Sequence, residues 1–262
     1  MLHAFHGALF TLVLICVGTV GYRARQYGRR KGNGGAHGRM GKKIVVLNGS
    51  PRRNGNTSAL VRAFSEGARS AGHEVTEFFL DKMDIHGCRG CFGGHSRREC
   101  PCVQRDGMDE IYPAVRDCDV IVLASPLYYW NLSGQLRTAI DRLFALEEGD
   151  GNLLRGQGRA SALLMAAEGS GFADVLAYYD HLTERLRWKN LGHVLAGGNG
   201  GAGEIEGKPE LQQAYDLGKS IPPERVKKEK FAITRTHGSA PQISPLRFRP
   251  SRGICTLIRI PF

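Results

Sequence analysis

Residues 44–60 read "IVVLNGSPRRNGNTSAL": four apolar residues, eleven that are small, polar or cationic, and then the start of an apolar rhythm. A short uninterrupted apolar run is the pattern of a strand buried on both faces of a parallel sheet. Beyond it, residues 57–71 place Leu60, Val61, Phe64, Ala68 and Ala71 on one helical face. The polar stretch is therefore a strand-to-helix junction. At such a junction a helix start offers unpaired N–H groups and a favourable dipole to an anion. Ser50, Thr57 and Ser58 add hydroxyl donors, Asn54 and Asn56 add amides, and Arg52 or Arg53 can fork onto a phosphate. The junction reads as a phosphate cradle. It has neither the Gly-Lys-Ser/Thr of a Walker loop nor a Gly-x-Gly-x-x-Gly turn. The plainer alternative is an ordinary polar loop capped by Asn56 or Thr57.

The same alternation continues along the chain. Apolar runs at 120–123, 161–167 and, more weakly, 193–197 read as further strands, and 74–80, with Glu74 and Glu77 inside it, suits a sheet edge. Between them 107–117, 133–146, 173–188 and 209–220 have helical spacing. Five strand–helix units in strict order predict an α/β fold, a doubly wound five-stranded parallel sheet.

The 262 residues carry a formal charge of +11, and that charge sits at the ends. Residues 1–39 hold six Lys/Arg and no acid, and 222–262 hold nine Lys/Arg against two Glu, leaving 21 basic and 23 acidic residues in the body. A near-neutral body without interleaved aromatic and basic residues argues against a nucleic-acid partner. Residues 1–22 lack Lys, Arg, Asp and Glu and are followed by Arg23, Arg25, Arg29, Arg30 and Lys31. They read either as a membrane anchor holding the body in the cytoplasm, or as an extension ahead of a start at Met40. Three regions follow: an apolar segment with a basic Gly/Arg linker (1–39), the α/β domain (40–221) and a basic tail (222–262).

Four of the seven cysteines, Cys88, Cys91, Cys100 and Cys102, fall in "CRGCFGGHSRRECPC". Such clustering favours metal or redox chemistry over a disulfide framework. Four thiolates can bind a [4Fe–4S] cluster or Zn²⁺, with His86 and His95 as spare ligands, or remain as free or redox-active thiols. Cys118, ahead of an apolar strand, reads as a core thiol, and Asp106 as the cap of the next helix.

Residues 42–61, together with "DCDVIVLASPLYYWNLSGQLRTAIDRLFAL" and "LGHVLAGGNGGAGEIEGKPELQQAYDLGKSI", resemble the flavodoxin-like NAD(P)H-dependent FMN reductases, a family that includes the iron–sulfur flavoproteins. The resemblance covers about 42–221. It implies a flavodoxin-like sheet of order 2-1-3-4-5 between helical layers, with FMN at the strand ends and NADPH or NADH as reductant. At matching positions Ser50, Arg52, Asn54, Asn56 and Thr57 would take the FMN phosphate, with Ser58 beside them. Pro126, Leu127, Tyr128, Tyr129, Trp130 and Asn131 would run along the flavin ring. Glu168, Gly169, Ser170 and Gly171 follow the next strand at the same sheet end, as further candidates for its polar edge. The chain departs from the iron–sulfur pattern at Gly94, where a third cysteine would fall, so a cluster would have to recruit Cys100.

The function so implied is an oxidoreductase passing hydride from nicotinamide to FMN and on to a quinone, a nitro or azo compound, a flavin or a protein acceptor. It needs no catalytic side chain. A homodimer or homotetramer is expected. The alternatives are an electron carrier using an iron–sulfur cluster, and a flavin-free nucleotide-binding module.

Overall fold

In the computed structural model, residues 41–94, 101–148 and 151–223 are described. The elements alternate as the sequence predicts. They are β1 (Lys43–Asn48), α1 (Asn56–Ser70), β2 (Glu74–Phe79), α2 (Met108–Asp117), β3 (Val120–Pro126), α3 (Gly134–Arg142), β4 (Ala160–Ala166), α4 (Ala173–Leu186), β5 (Lys189–Ala196) and α5 (Pro209–Lys219). The sheet has the order β2-β1-β3-β4-β5 and every pairing is parallel. This is the flavodoxin-like arrangement.

Because side chains alternate along a strand, each central strand feeds two cores. Val45, Leu47, Ile121, Leu123, Leu163 and Met165 pack with residues of α2, α3 and α4. Ile44, Val46, Val120, Val122, Ala162 and Leu164 pack with α1 and α5 on the opposite face. Helices α1 and α5 meet closely because Gly67 and Gly218 lie at the contact. A Cβ on Gly67 would fall 1.9 Å from the Tyr215 carbonyl oxygen, and one on Gly218 would fall 2.2 Å from that of Phe64.

Two boundaries differ from the sequence reading. Strand β5 begins at Lys189, four residues ahead of the apolar run, since Lys189 and Asn190 pair with Ala160 and Ser161 while leaving their side chains exposed. The α-helix α3 stops at Arg142, and Leu143–Leu146 continue as a 3-10 turn that buries Leu143, Ala145 and Leu146. Another 3-10 turn, Leu80–Lys82, follows β2. Among the described residues no helix is long and apolar enough to cross a membrane; residues 1–22 lie outside them.

Candidate functional site

Ordered sheets of this kind place their ligands beyond the carboxyl ends of the strands. The junction after β1 stands there, opposite the segments following β3, β4 and β5. Asn48, the last residue of β1, is completely buried and organises the turn. Its Oδ1 accepts the Ser50 N–H at 3.0 Å, and its Nδ2 donates to Ser58 Oγ at 3.2 Å and Glu77 Oε1 at 2.9 Å. The Arg52 carbonyl then gathers the Ser50 and Ser58 hydroxyls, each at 3.0 Å, and the Gly55 N–H.

Helix α1 starts from Gly55, which has no side chain to accept a first-turn N–H, and its first turn has neither a capping side chain nor an acid. The capped-loop alternative fails on that point. Uncapped first-turn N–H groups are donors of the kind that suits an anion.

A cavity of about 240 Å³ opens on this helix start. Ser50, Arg52, Asn56 and Thr57 line it, with Pro126, Leu127 and Tyr128 after β3, Glu168 after β4, and Asn199 and Gly200 after β5. Asn54 and Ser58 are not among the lining residues: Asn54 is exposed, and the buried Ser58 hydroxyl is committed to the turn. Asn56 lines the cavity, but its amide is engaged elsewhere. Nδ2 donates to the Gly201 carbonyl at 2.7 Å, and Oδ1 accepts the Gly203 N–H at 2.9 Å. It ties the first loop to the one after β5.

The segment after β3 is joined to the cradle through Ser133. The Ser133 hydroxyl donates to the Gly49 carbonyl at 2.8 Å and accepts the Leu136 N–H at the start of α3. Between Pro126 and Ser133 the chain makes a tight turn. Tyr128 and Asn131 exchange two backbone hydrogen bonds of 3.0 Å, and Tyr129 (φ 47°) and Trp130 (φ 58°) occupy the left-handed region. Non-glycine residues held there carry strain that the surroundings must support. The turn thrusts both rings outward: Tyr129 is 94% exposed and Trp130 59%. Leu127, Tyr128, Tyr129 and Trp130 line a second hollow of about 360 Å³ with Gly169 and Gly171. Ser170 lines neither hollow, and the Asn131 Oδ1 is turned back to the Leu132 N–H.

The loop after β5 is the part that residue-by-residue reading missed. Asn199 is buried, donating to the Ala196 and Gly197 carbonyls, while Lys208 Nζ donates to Asn199 Oδ1 at 2.8 Å and to the Gly198 carbonyl at 2.7 Å. Its signal was the run "GGNGGAG" directly after a strand, with Gly198 and Gly203 at positive φ.

The cysteines lie on a different excursion, between the 3-10 turn after β2 and α2. Cys88 and Cys91 are exposed and Cys102 is half-buried, and all three border a small hollow with Arg142, Phe144 and Glu148. Cys100 and His95 lie outside the described residues. Among the described residues no group of three or more His, Cys, Asp or Glu is arranged to hold a metal ion. At Gly94 the N–H donates to Glu148 Oε2 at 2.9 Å, and a Cβ would meet that oxygen at 2.0 Å. Glu148 thus fills the space a side chain at 94 would need. Cys118 is a core thiol, as its sequence position suggests, and burial pushes it up to about 12.

Comparison with known proteins agrees with this fold. Residues 42–202 match the family of NADPH-dependent FMN reductases. The chain belongs to that family. The chain is 34% identical over 182 residues to an iron–sulfur flavoprotein of Archaeoglobus fulgidus, covering 68% of this chain and 78% of that protein. Among solved structures it is similar to RosB with bound 8-demethyl-8-formylriboflavin-5'-phosphate, with a TM-score of 0.54, 19% identity, and coverage of 68% of this chain and 75% of that one. It is also similar to an NAD(P)H:quinone oxidoreductase from Methanothermobacter marburgensis, with a TM-score of 0.52, 17% identity, and coverage of 69% and 96%. The last two likenesses concern the fold. Family membership makes the chain a flavoprotein oxidoreductase that uses FMN and a reduced nicotinamide.

Proposed function

We propose that the cradle after β1 binds the FMN phosphate and that the chain passes reducing equivalents from NADPH or NADH to a small-molecule or protein acceptor. One observation carries this reading: a helix start without a capping side chain opens into a cavity bordered by Ser50, Arg52 and Thr57. These residues fit a phosphate monoester. First-turn N–H groups, two hydroxyls and a guanidinium supply donors without a nearby first-turn acid. When bound, FMN supplies the hydride and electron chemistry.

The protein's own residues hold and orient the ring. Pro126, Leu127 and Tyr128 would form one wall; Glu168, Asn199 and Gly200 would form the other, braced by Asn56. Tyr129 and Trp130 stand outside that wall, next to the second hollow, where a flat nicotinamide or acceptor could lie against them. Their exposure also supports a homodimer or homotetramer in which a second copy covers them, as light scattering would report.

The deciding experiment is an anaerobic absorbance titration of the purified full chain with FMN, then with NADPH and NADH in turn. A saturable flavin spectrum bleached by either nicotinamide supports the proposal. A protein that stays colourless with added FMN refutes it. Because a curated relative is named an iron–sulfur flavoprotein, iron and acid-labile sulfide should be measured on the same sample. Their presence would favour a cluster-bearing electron carrier using Cys88, Cys91, Cys100 and Cys102.

A further inference from the structure

The cysteine-bearing excursion, Asp84 to Asp106, begins and ends on one buried side chain. Arg142, the last residue of α3, has a side chain 1% exposed, as has its partner Asp106. Arg142 Nη1 donates to Asp106 Oδ2 at 2.5 Å and to the His86 carbonyl at 2.7 Å. Its Nη2 donates to Asp106 Oδ1 at 3.2 Å and reaches Cys102 Sγ at 3.5 Å. Asp106 in turn accepts the His86 N–H at 3.1 Å and the Met108 N–H at 3.0 Å. The Arg142 carbonyl accepts the Tyr112 hydroxyl at 3.1 Å, so the end of α3 is itself held by α2. One guanidinium thus touches the outgoing limb at His86, the returning limb at Cys102 and the anchor at Asp106.

Desolvating two charges is costly, and an apolar residue of similar volume often serves stability as well or better. A buried pair that also gathers three chain segments is matched to a task of placement. A planar fork with several fixed donors does this; a lysine ammonium does not.

The arrangement has direction as well. The cap of α3, Ser133, is bonded to Gly49 of the phosphate cradle, and the other end of the same helix holds Cys102. Nine helical residues at 1.5 Å rise separate these ends by about 13 Å. Cys88 and Cys91, on the exposed limb, have no such tie to α3.

We infer that Arg142 is a positioning residue: with Asp106 it clamps the base of the cysteine excursion and fixes Cys102 at a set distance from the cradle, while Cys88 and Cys91 stay open to solvent. Among the described residues the thiols of the excursion therefore form a two-plus-one set, two adaptable and one indexed to the helix whose cap is bonded to the cradle. The clamp is independent of what the cradle binds.

The test uses the native full chain and its Arg142→Met, Arg142→Lys and Asp106→Asn variants. Timed alkylation with N-ethylmaleimide, read cysteine by cysteine by mass spectrometry, measures each thiol's freedom; flavin content is measured alongside. Wild type should alkylate Cys88 and Cys91 fast and Cys102 slowly. Arg142→Met should raise the Cys102 rate at least tenfold, with Cys118 still protected and flavin content unchanged. Arg142→Lys and Asp106→Asn should raise it less. An unchanged Cys102 rate in Arg142→Met overturns the inference. So does a parallel rise at Cys118, which would mark a general loosening of the core. If Arg142→Met does not fold, Arg142→Lys decides by the same rates, and no change at Cys102 there also overturns the inference.

Discussion

The two polar excursions of this chain, one after β1 and one before α2, hold their shape by opposite means. The first is short, and neutral hydrogen bonds from Asn48, Ser50 and Ser58 to its own backbone and to one another fix it. The second is long, presents exposed thiols, and is fastened at its base by a buried ion pair. A site for one anion needs donors aimed before the ligand arrives, and short loops on a rigid sheet supply that. A thiol site whose partners come from distant positions needs reach, and reach requires a separate fastening. The difference teaches that preorganisation in this fold is local at the cradle and borrowed from α3 at Cys102.

The comparison breaks most easily at Gly49. A Cβ there would stand 2.5 Å from Ser133 Oγ and 2.7 Å from Leu136 Cβ, forcing the cradle away from α3. Gly49→Val should destabilise the fold by about 3 kcal/mol, with flavin retention lost, as urea unfolding and dialysis against FMN-free buffer would show.

Next come the residues proposed to donate to the phosphate. Arg52→Ala and Thr57→Ala should each weaken FMN binding by about 1.5–3 kcal/mol, the value of a charge-assisted hydrogen bond, with the unfolding midpoint little changed. Fluorescence titration checks this, and full affinity in both variants would move the phosphate elsewhere.

Cys118 sharpens the contrast on the thiol side. With its pKa raised to about 12 by burial, it stays a neutral thiol well above pH 8, and only the thiolate is a good nucleophile. Alkylation at pH 8–9 should therefore mark Cys88 and Cys91 while Cys118 stays intact until the protein unfolds.

The smallest effect concerns acid. Burial alone would raise the pKa of Asp106, but the Arg142 guanidinium and the N–H groups of His86 and Met108 outweigh it and hold the carboxyl below the ordinary aspartate range. A depressed carboxylate contributes stability that is present above its unfolded pKa and lost as pH falls through the folded one. Asp106→Asn should thus narrow the stability loss below about pH 4, seen as a shallower acid slope of the melting temperature.

Much of the architecture was legible along the chain. Ile44–Leu47 and Val120–Leu123 are uninterrupted apolar runs because both faces of their strands are covered, and Leu60, Val61, Phe64 and Ala68 repeat at helical spacing because one face of α1 is covered. Lys189 and Asn190 gave no strand signal, since an edge strand can pair its backbone while leaving polar side chains in water. In the cradle, residue types announced an anion seat, but not which donors face it. Asn56 turns to carbonyls and N–H groups 143 to 147 residues away, and Ser58 turns to Arg52 and Asn48.

Read alone, the sequence determined the order of strands and helices, the position of the polar junction and the clustering of thiols. Each of these depends on neighbours a few residues apart, whose periodicity and backbone preferences are written in the chain itself. Only the tertiary structure decided that Asn48 is the buried organiser of the cradle, that the loop after β5 completes the cavity, and that Arg142 is buried against Asp106. A polar side chain takes its direction from whichever partner relieves the cost of leaving water, and here those partners come from distant segments that only the folded sheet brings together.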